Sequence, residues 1–596
     1  MFRHLGIITT IGFLCSYFHA GKATTCIRTQ KQFDAAIVDI NKGKEVRLKL
    51  RPGEYYLRQS LESSAPVAIV GKNATITCAD VYDFNDAYES RSDYYVYKLS
   101  NPIGDYPIFY DQRRKIVPLS ESVIEETGVN YLEGNIVSNG DNVIGAELKI
   151  PIPANLSHLK NKTFSCAFGY FDSGWGVVDI SIASSDNMYF YCTTKNRCAT
   201  NNFMYDKAVY NKPVRFVIYN AEQKAHHIYY DANYLYIPKD YKRIYCIDEG
   251  RLNDNKVKLS FNSDVVLDGV SFVGINNITI NSKINNVCEI RNCRFEKVAG
   301  SAIILKKDNG VNATKSVITD CDFYECGLHK GAFTQLLSSF VGKPCIEVRN
   351  CTMTRYPMGW SYYKNTGGGI WVDGDVNLYH NTIYNSSRDL IFLHAGKIVA
   401  SGNVLYNTDE FNSHEDRNLS NDWGLIYCGF IFSNTEDAIK NKNHVIILEN
   451  NLLYGAYAYG GDARGIFIDD GRGDVICKNN LILNSQLYSI DARNSRINNV
   501  ASIRNRYEDN IVTNNYRLVS GISVMEDNSP VVNSNMVLSK VDNEVSNVHV
   551  LNDDIFLNIN TEMSCTEKNI IVSTDLYNIL SQSAAWRDVK KYVRRK

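Results

Sequence analysis

The feature that most restricts what this chain can fold into is a ladder of short, similar strings between residues 261 and 540. In chain order they read NCRF (292–295), DCDF (320–323), NCTM (350–353), HNTI (380–383), GNVL (402–405), ENNL (449–452), KNNL (478–481), EDNI (508–511) and NSNM (533–536). Their final apolar residues are spaced 28, 30, 30, 22, 47, 29, 30 and 25 apart. Self-similarity at a period of a few tens of residues marks stacked units, none of which buries its apolar side alone. Between the strings lie runs such as AIILK, GIWVD, GLIYC, GIFID and DVICKNN, whose length and apolarity read as strands. No helical pattern separates them. The predicted fold class is all-β, a parallel β-helix solenoid with coils about 4.8 Å apart. Asparagine suits the corners, because it tolerates left-handed backbone and hydrogen-bonds along a stack.

The rest of the chain is read against that ladder. The start, MFRHLGIITTIGFLCSYFHAGKA, has basic residues, an apolar run and then small residues. That is a secretory signal over 1–23, which predicts export to the periplasm or beyond, in part outer-membrane associated. No later stretch is predicted to cross a bilayer. Residues 24–79 contain QFDAAIVDI, a short amphipathic helix capping the first coil, then the strands KEVRLKL, GEYYL, VAIVG and ATITC. From 80 to 240 the ladder is lost, and strings such as YYVYKL, VIGAELKI and VRFVIYN predict an inserted antiparallel β domain. The solenoid resumes over 241–560, and 561–596 is predicted to be a C-terminal cap or tail. The 47-residue interval holds two polar insertions, 407–422 and 433–443, and loops leaving a stack are where binding surface is made.

Composition narrows the function classes. With 64 basic and 65 acidic residues the net charge is -1, which lacks the basic footprint of nucleic-acid binding. Of the 16 cysteines, Cys192 and Cys198 bracket a turn that a disulfide would suit, whereas those in the ladder read as small buried apolar residues. Their spacing is not that of a zinc site, and no metal is predicted from them.

Chemistry concentrates in two strings, NDWGLIYCG (421–429) and DARGIFIDDGRGD (462–474). Registering Gly424 on Gly465 and applying strand alternation puts Gly465, Phe467 and Asp469 on the outer face, with Ile466 and Ile468 inside. The same offset upstream adds Lys306, Asp373, His394 and Asp422, with Trp371 and Trp423 nearby. Neighbouring carboxylates repel, so one is protonated while the other stays ionised, the division of labour that glycosidic hydrolysis needs. Asp422, Asp469 and Asp470 are the catalytic candidates, with one of Asp422 and Asp469 donating the proton and the other acting as nucleophile or water activator. Adjacent coils are expected to set Asp422 and Asp469 about 5 Å apart, the short separation of a retaining mechanism. Asp373, His394, Trp371, Trp423, Glu410, Arg464 and Phe467 are the candidate substrate contacts.

These strings also carry a resemblance. Asp422, Gly424, Ile426 and Tyr427, followed by Gly465, Ile466, Phe467, Ile468, Asp469 and Asp470, resemble the D-x-G-x-I-Y and G-I-Y-L-D-D strings of glycoside hydrolase family 141. The resemblance implies a right-handed β-helix interrupted near its start by a β-sandwich-like domain. It also implies hydrolysis of xylan or removal of α-L-fucose from pectic side chains. Phe467 in place of the usual tyrosine, and bulky Trp423 and Leu425 around the first glycine, depart from that pattern. The expected partner is a poly- or oligosaccharide and the expected state a monomer, with no cofactor required. Two other readings stay open. One is a polysaccharide lyase using Lys306, Arg464 or Arg472 as base, with Ca²⁺ held by the aspartates. The other is a glycan-binding or structural solenoid without catalysis.

Overall fold

The computed structural model describes residues 23–596 apart from several internal stretches, the longest being 127–141, 200–213, 249–256, 308–315, 355–367, 414–422, 430–443, 494–503, 519–530 and 540–554. The stretch 1–22, where a secretory signal is expected, the polar loop 433–443 and most of 407–422 therefore lie outside the described residues. What is described is an all-β architecture of parallel and antiparallel sheets.

Most strands pair in parallel and fall into three rows. From Cys288 onward the chain visits the rows in a fixed order: Cys288–Arg291, Arg294–Val298 and Ile303–Lys307, then Ser316–Thr319, Asp322–Cys326 and Thr334–Ser338, and so on. Each strand pairs with its counterpart one unit later. Alternation then gives every strand one apolar side, and one core cluster collects all three rows: Ile290 and Ile318 from the first, Phe295 and Phe323 from the second, Ile303 and Ile370 from the third. Identical side chains meet along a row, as in the Phe295–Phe323 stack at 4.7 Å and 1°.

The corner after the first row divides its labour between two residues. Asn292, Asp320, Asn350, His380, Asn450, Asn479 and Asp509 carry positive φ of 51–56°, and Gly402 takes 66°. The next residue faces inward. In the first three units it is Cys293, Cys321 or Cys351; from the fourth it is asparagine, and Asn381, Asn403, Asn451, Asn480, Asn510 and Asn535 pass Nδ2–H to Oδ1 at 2.9–3.0 Å. Each amide donates a second time to a backbone carbonyl, Asn480 to Leu448 at 2.8 Å for example. A buried amide is tolerated when its groups are all bonded, and here the neighbouring units bond them.

This ladder corrects the register read from sequence. Leu405 pairs with Leu453, and Val404 with Leu452, so the core-facing residues after the long interval are one place later than the strings suggested. Leu452, Leu481 and Ile511 face outward. They are covered there by residues 561–596, where Leu576, Leu580, Val589 and Val593 join them in a second apolar cluster. The tail thus packs along a side face, whereas a terminal cap would sit on an end. The helix Gln30–Asn41 does sit against the first strands, burying Phe33, Ile37 and Ile40 in the main core. Its Thr29–Gln32 capping box satisfies the first amides.

Val67–Thr77 pairs with Val46–Leu50 on one side and with Val265–Val273 on the other, so the stack continues across the residues in between. Those residues supply the antiparallel sheets, including a six-stranded one. Arg114 ties them to the rows through Glu296 at 2.8 Å. Cys192 is a free, buried thiol whose strand partners are Leu148 and Ile182, so the expected Cys192–Cys198 bridge is not formed.

Candidate active site

Five successive third-row strands carry the predicted residues: β1 (Gly368–Val372), β2 (Ile391–Leu393), β3 (Trp423–Cys428), β4 (Ala463–Ile468) and β5 (Tyr488–Ala492). Pairing levels Ile370, Ile391, Ile426, Ile466 and Ile490, all core-facing. The next position faces out and levels Trp371, Phe392, Tyr427, Phe467 and Asp491. Just beyond the strand ends His394, Gly429, Asp469 and Arg493 form a row, each N–H bonded to a carbonyl of the strand before at 2.8–3.0 Å. Lys306 holds the same level further up. Asp373, the residue after Val372, and Asp470 lie outside the described residues, and of Trp423 only the backbone is described.

Alternation breaks at one point, and the break reorders the site. Gly424 pairs with Arg464 and Ile426 with Ile466, but Leu425 and Gly465 are skipped. Leu425 and Ile426 both enter the core, although the register is the same on either side of them. A Cβ on Gly465 would meet Ile482 Cγ2 at 2.3 Å, so this glycine points inward, contrary to the simple parity. Arg464 is thereby turned to the outer side, where its guanidinium lies 4.0 Å over the Phe467 ring. The true equivalent of Gly465 is Leu425, and the residue beside Asp469 is Gly429. Cys428, at the level of Ile468, is in the core, where burial pushes its thiol up to about 12.

The register also differs from the one on which the expected catalytic pair was built. Asp469 is level with Gly429, and Trp423 and Gly429 stand six residues apart along β3, about 20 Å at 3.3 Å per residue. Asp422 lies outside the described residues. The expected spacing of about 5 Å assumed Gly424 beside Gly465, a pairing that does not form. Glu410 is exposed on the five-residue helix Asp409–Ser413, which follows the second row.

What does converge is a polar row over an aromatic ladder. Asp469 is partly exposed, and its Oδ2 accepts the Tyr427 hydroxyl at 2.8 Å. Tyr427 stacks on Phe392 at 4.7 Å and 11°, and Phe392 meets Trp371 at 4.9 Å. Phe467 meets Tyr427 edge-on at 5.2 Å and has Arg493 5.0 Å from its centroid on top of Arg464. Both arginines are held by Asp491, whose Oδ2 accepts from Arg464 Nε at 2.6 Å and Arg493 Nε at 3.1 Å. Phe467 and Arg464 are both 0% exposed, so they offer no surface to a sugar and support the wall from behind. Arg472 is also wholly buried. It donates to His444 O at 3.1 Å, and desolvation lowers it to about 10.

Tyr427, Phe392, Asp491 and Arg493 were not among the predicted contacts. Carrying the ladder one unit past Asp469, into the string SIDAR, was the available signal for the last two. A cleft of about 970 Å³ lies elsewhere, between the first strands and the antiparallel sheets, lined by Tyr56, Thr77, Asp80, Asp83 and Arg243 among others. None of the predicted site residues lines it, and size without the chemistry does not move the site there. Among the described residues no three His, Cys, Asp or Glu side chains group as metal ligands, and no helix is long and apolar enough to cross a membrane.

No protein-family model matches the chain, and no curated protein matches its sequence. Solved structures do. One described as "Glycoside hydrolase" aligns with TM-score 0.50 at 9% identity, over 83% of this chain and 94% of that one. The complex structure of XylC with xylose aligns at 0.34 and 10%, over 88% and 83%. The catalytic domain of a GH87 alpha-1,3-glucanase in complex with nigerose aligns at 0.26 and 11%, over 80% and 96%. At this identity the first likeness is one of fold; the other two scores are too low to argue from.

Proposed function

We propose that this chain is an exported glycoside hydrolase whose three rows close into a right-handed parallel β-helix, interrupted over 80–240 by an antiparallel β-sandwich-like domain. The fixed row order and shared core support the closure, and the likeness to a glycoside hydrolase structure supports the class. The strings around Asp422 and Asp469 support family 141 and a plant glycan such as xylan or a fucosylated pectic chain.

One observation carries the site: Asp469, partly exposed and bonded by Tyr427, stands in a row with His394 and Arg493. In this reading Asp469 is the ionised carboxylate, acting as nucleophile or water activator. Asp470, next in the chain, is the proton donor. Asp373, and Asp422 with Trp423, serve substrate binding, while Trp371 and His394 contact the sugar beside the scissile bond. The lyase alternative is weakened, because Arg464 and Arg472 are wholly buried and cannot reach a substrate proton, which leaves Lys306.

The test is turnover of xylan and fucosylated pectic oligosaccharides by wild type, D469A and D470A, with released sugars separated by chromatography. Near-wild-type rates in both variants would overturn the assignment. Product absorbing as an unsaturated uronide would move the protein to the lyases, and binding without turnover to the glycan-binding proteins.

A further inference from the structure

Asp469 does not stand alone in the wall. Its Oδ2 is occupied by a phenol whose ring has almost no room to turn. The Tyr427 face lies on Phe392 at 4.7 Å, and its edge is closed by Phe467 at 5.2 Å and 90°. Phe467 is clamped by Arg464 and Arg493, and buried Asp491 holds both guanidiniums. The chain Asp491, Arg464, Phe467, Tyr427 therefore ends on one oxygen of one carboxylate.

We infer that Tyr427 is a positioning residue: its hydroxyl fixes the Asp469 rotamer and favours the ionised carboxylate. A hydrogen bond donated to a carboxylate stabilises its charged form, and a phenol held between rings loses little entropy in making it. The other charged or titratable groups facing Asp469 are Arg493 in the next strand, His394 two strands before, and Arg464 and Asp491 behind Phe467. Asp373 and Asp470 lie outside the described residues. Tyr427→Phe keeps the ring and removes only the phenol oxygen, the donor to Asp469.

The inference rests on the reading of Asp469 as the reactive carboxylate, yet it is testable without turnover. Carbodiimide couples to protonated carboxyls, so the pH midpoint of Asp469 labelling, read by peptide mass spectrometry, follows its protonation. In Tyr427→Phe that midpoint is expected to rise by about one pH unit. Exposed Asp39, bonded to Lys44, should keep its midpoint and reports that the fold is intact. Global replacement of tyrosine by the more acidic 3-fluorotyrosine is a second variant that keeps the ring, and the Asp469 midpoint should fall. An unchanged midpoint in both overturns the inference. In Tyr427→Phe the acid limb of kcat/KM should move to higher pH with the labelling midpoint; an unmoved limb while Asp469→Asn is inactive also overturns the inference and leaves the glycosidase reading standing. An active Asp469→Asn enzyme overturns that reading instead, whatever the labelling shows.

Discussion

Two aromatic ladders run along the outward faces of this protein, and they have opposite fates. In the second row Tyr384, Tyr406 and Tyr454 are level, the first two stacked at 5.1 Å and 5°. In the third row the level residues are Trp371, Phe392, Tyr427 and Phe467. Each ladder has a tyrosine that donates to an aspartate, Tyr454 to Asp409 at 3.0 Å and Tyr427 to Asp469 at 2.8 Å. The second-row pair is sealed by the chain itself. Asp409 accepts the Cys565 N–H at 2.6 Å, and Tyr406 donates to Glu567 O at 2.6 Å. Asp469 keeps exposed surface and stands among His394 and Arg493. Stacked rings therefore do not mark a site in this fold, since register produces them on either face. What separates the two is that the carboxylate ending the third-row stack is partly exposed.

The comparison can be broken from either side. Asp469→Asn should lower kcat/KM by about 10³-fold, about 4 kcal/mol of transition-state stabilisation, with little change in melting temperature. Steady-state kinetics and a thermal scan on the same sample check this, and a large stability loss with retained turnover would make Asp469 a second Asp409. Leu576→Ala, on the tail side of the sealed face, should cost about 3 kcal/mol of stability without changing kcat. Asp409→Asn should cost about 2 kcal/mol, because the Cys565 amide is left facing a poorer partner, again with activity preserved. If it abolishes turnover, the sealed face is functional after all. Tyr406→Phe should show the smallest effect, about 1 kcal/mol in urea unfolding, from one hydrogen bond to a backbone carbonyl.

Much of this was legible in the sequence, because the repeat advertises itself. Strings such as VAIVG and DVICKNN formed the strands they predicted, and QFDAAIVDI formed the helix Gln30–Asn41. Asparagine was rightly placed at the corner, but two adjacent residues share the work, one taking the left-handed turn and the next the interior ladder. That doubling explains the slip at ENNL, where two asparagines stand together and only Asn451 faces inward. The site suffered a second slip of the same kind. A glycine invites alignment with another glycine, but Gly424 lines up with Arg464 and Leu425 stands at the level of Gly465. Nothing in the letters announces that one-residue difference, and one step moves a side chain from the core to the surface. Tyr427 and Asp491 were hidden for a related reason. Their importance lies in what they touch across strands, and cross-strand partners follow only from a correct register.

The strand Val67–Thr77 has a consequence for how the chain reaches this state. Its partner on one side, Val265–Val273, is synthesised long after it, and until then the growing sheet presents an unpaired edge. The intervening segment shortens that wait in space though not in time, because Asp80–Asp83 and Arg243–Ile247 lie antiparallel, with Asp80 opposite Cys246. Once that segment has folded, its two ends emerge side by side, and a loop of nearly two hundred residues closes as if it were a short one. The topology thus brings the two halves of the stack together at the ends of the segment between them.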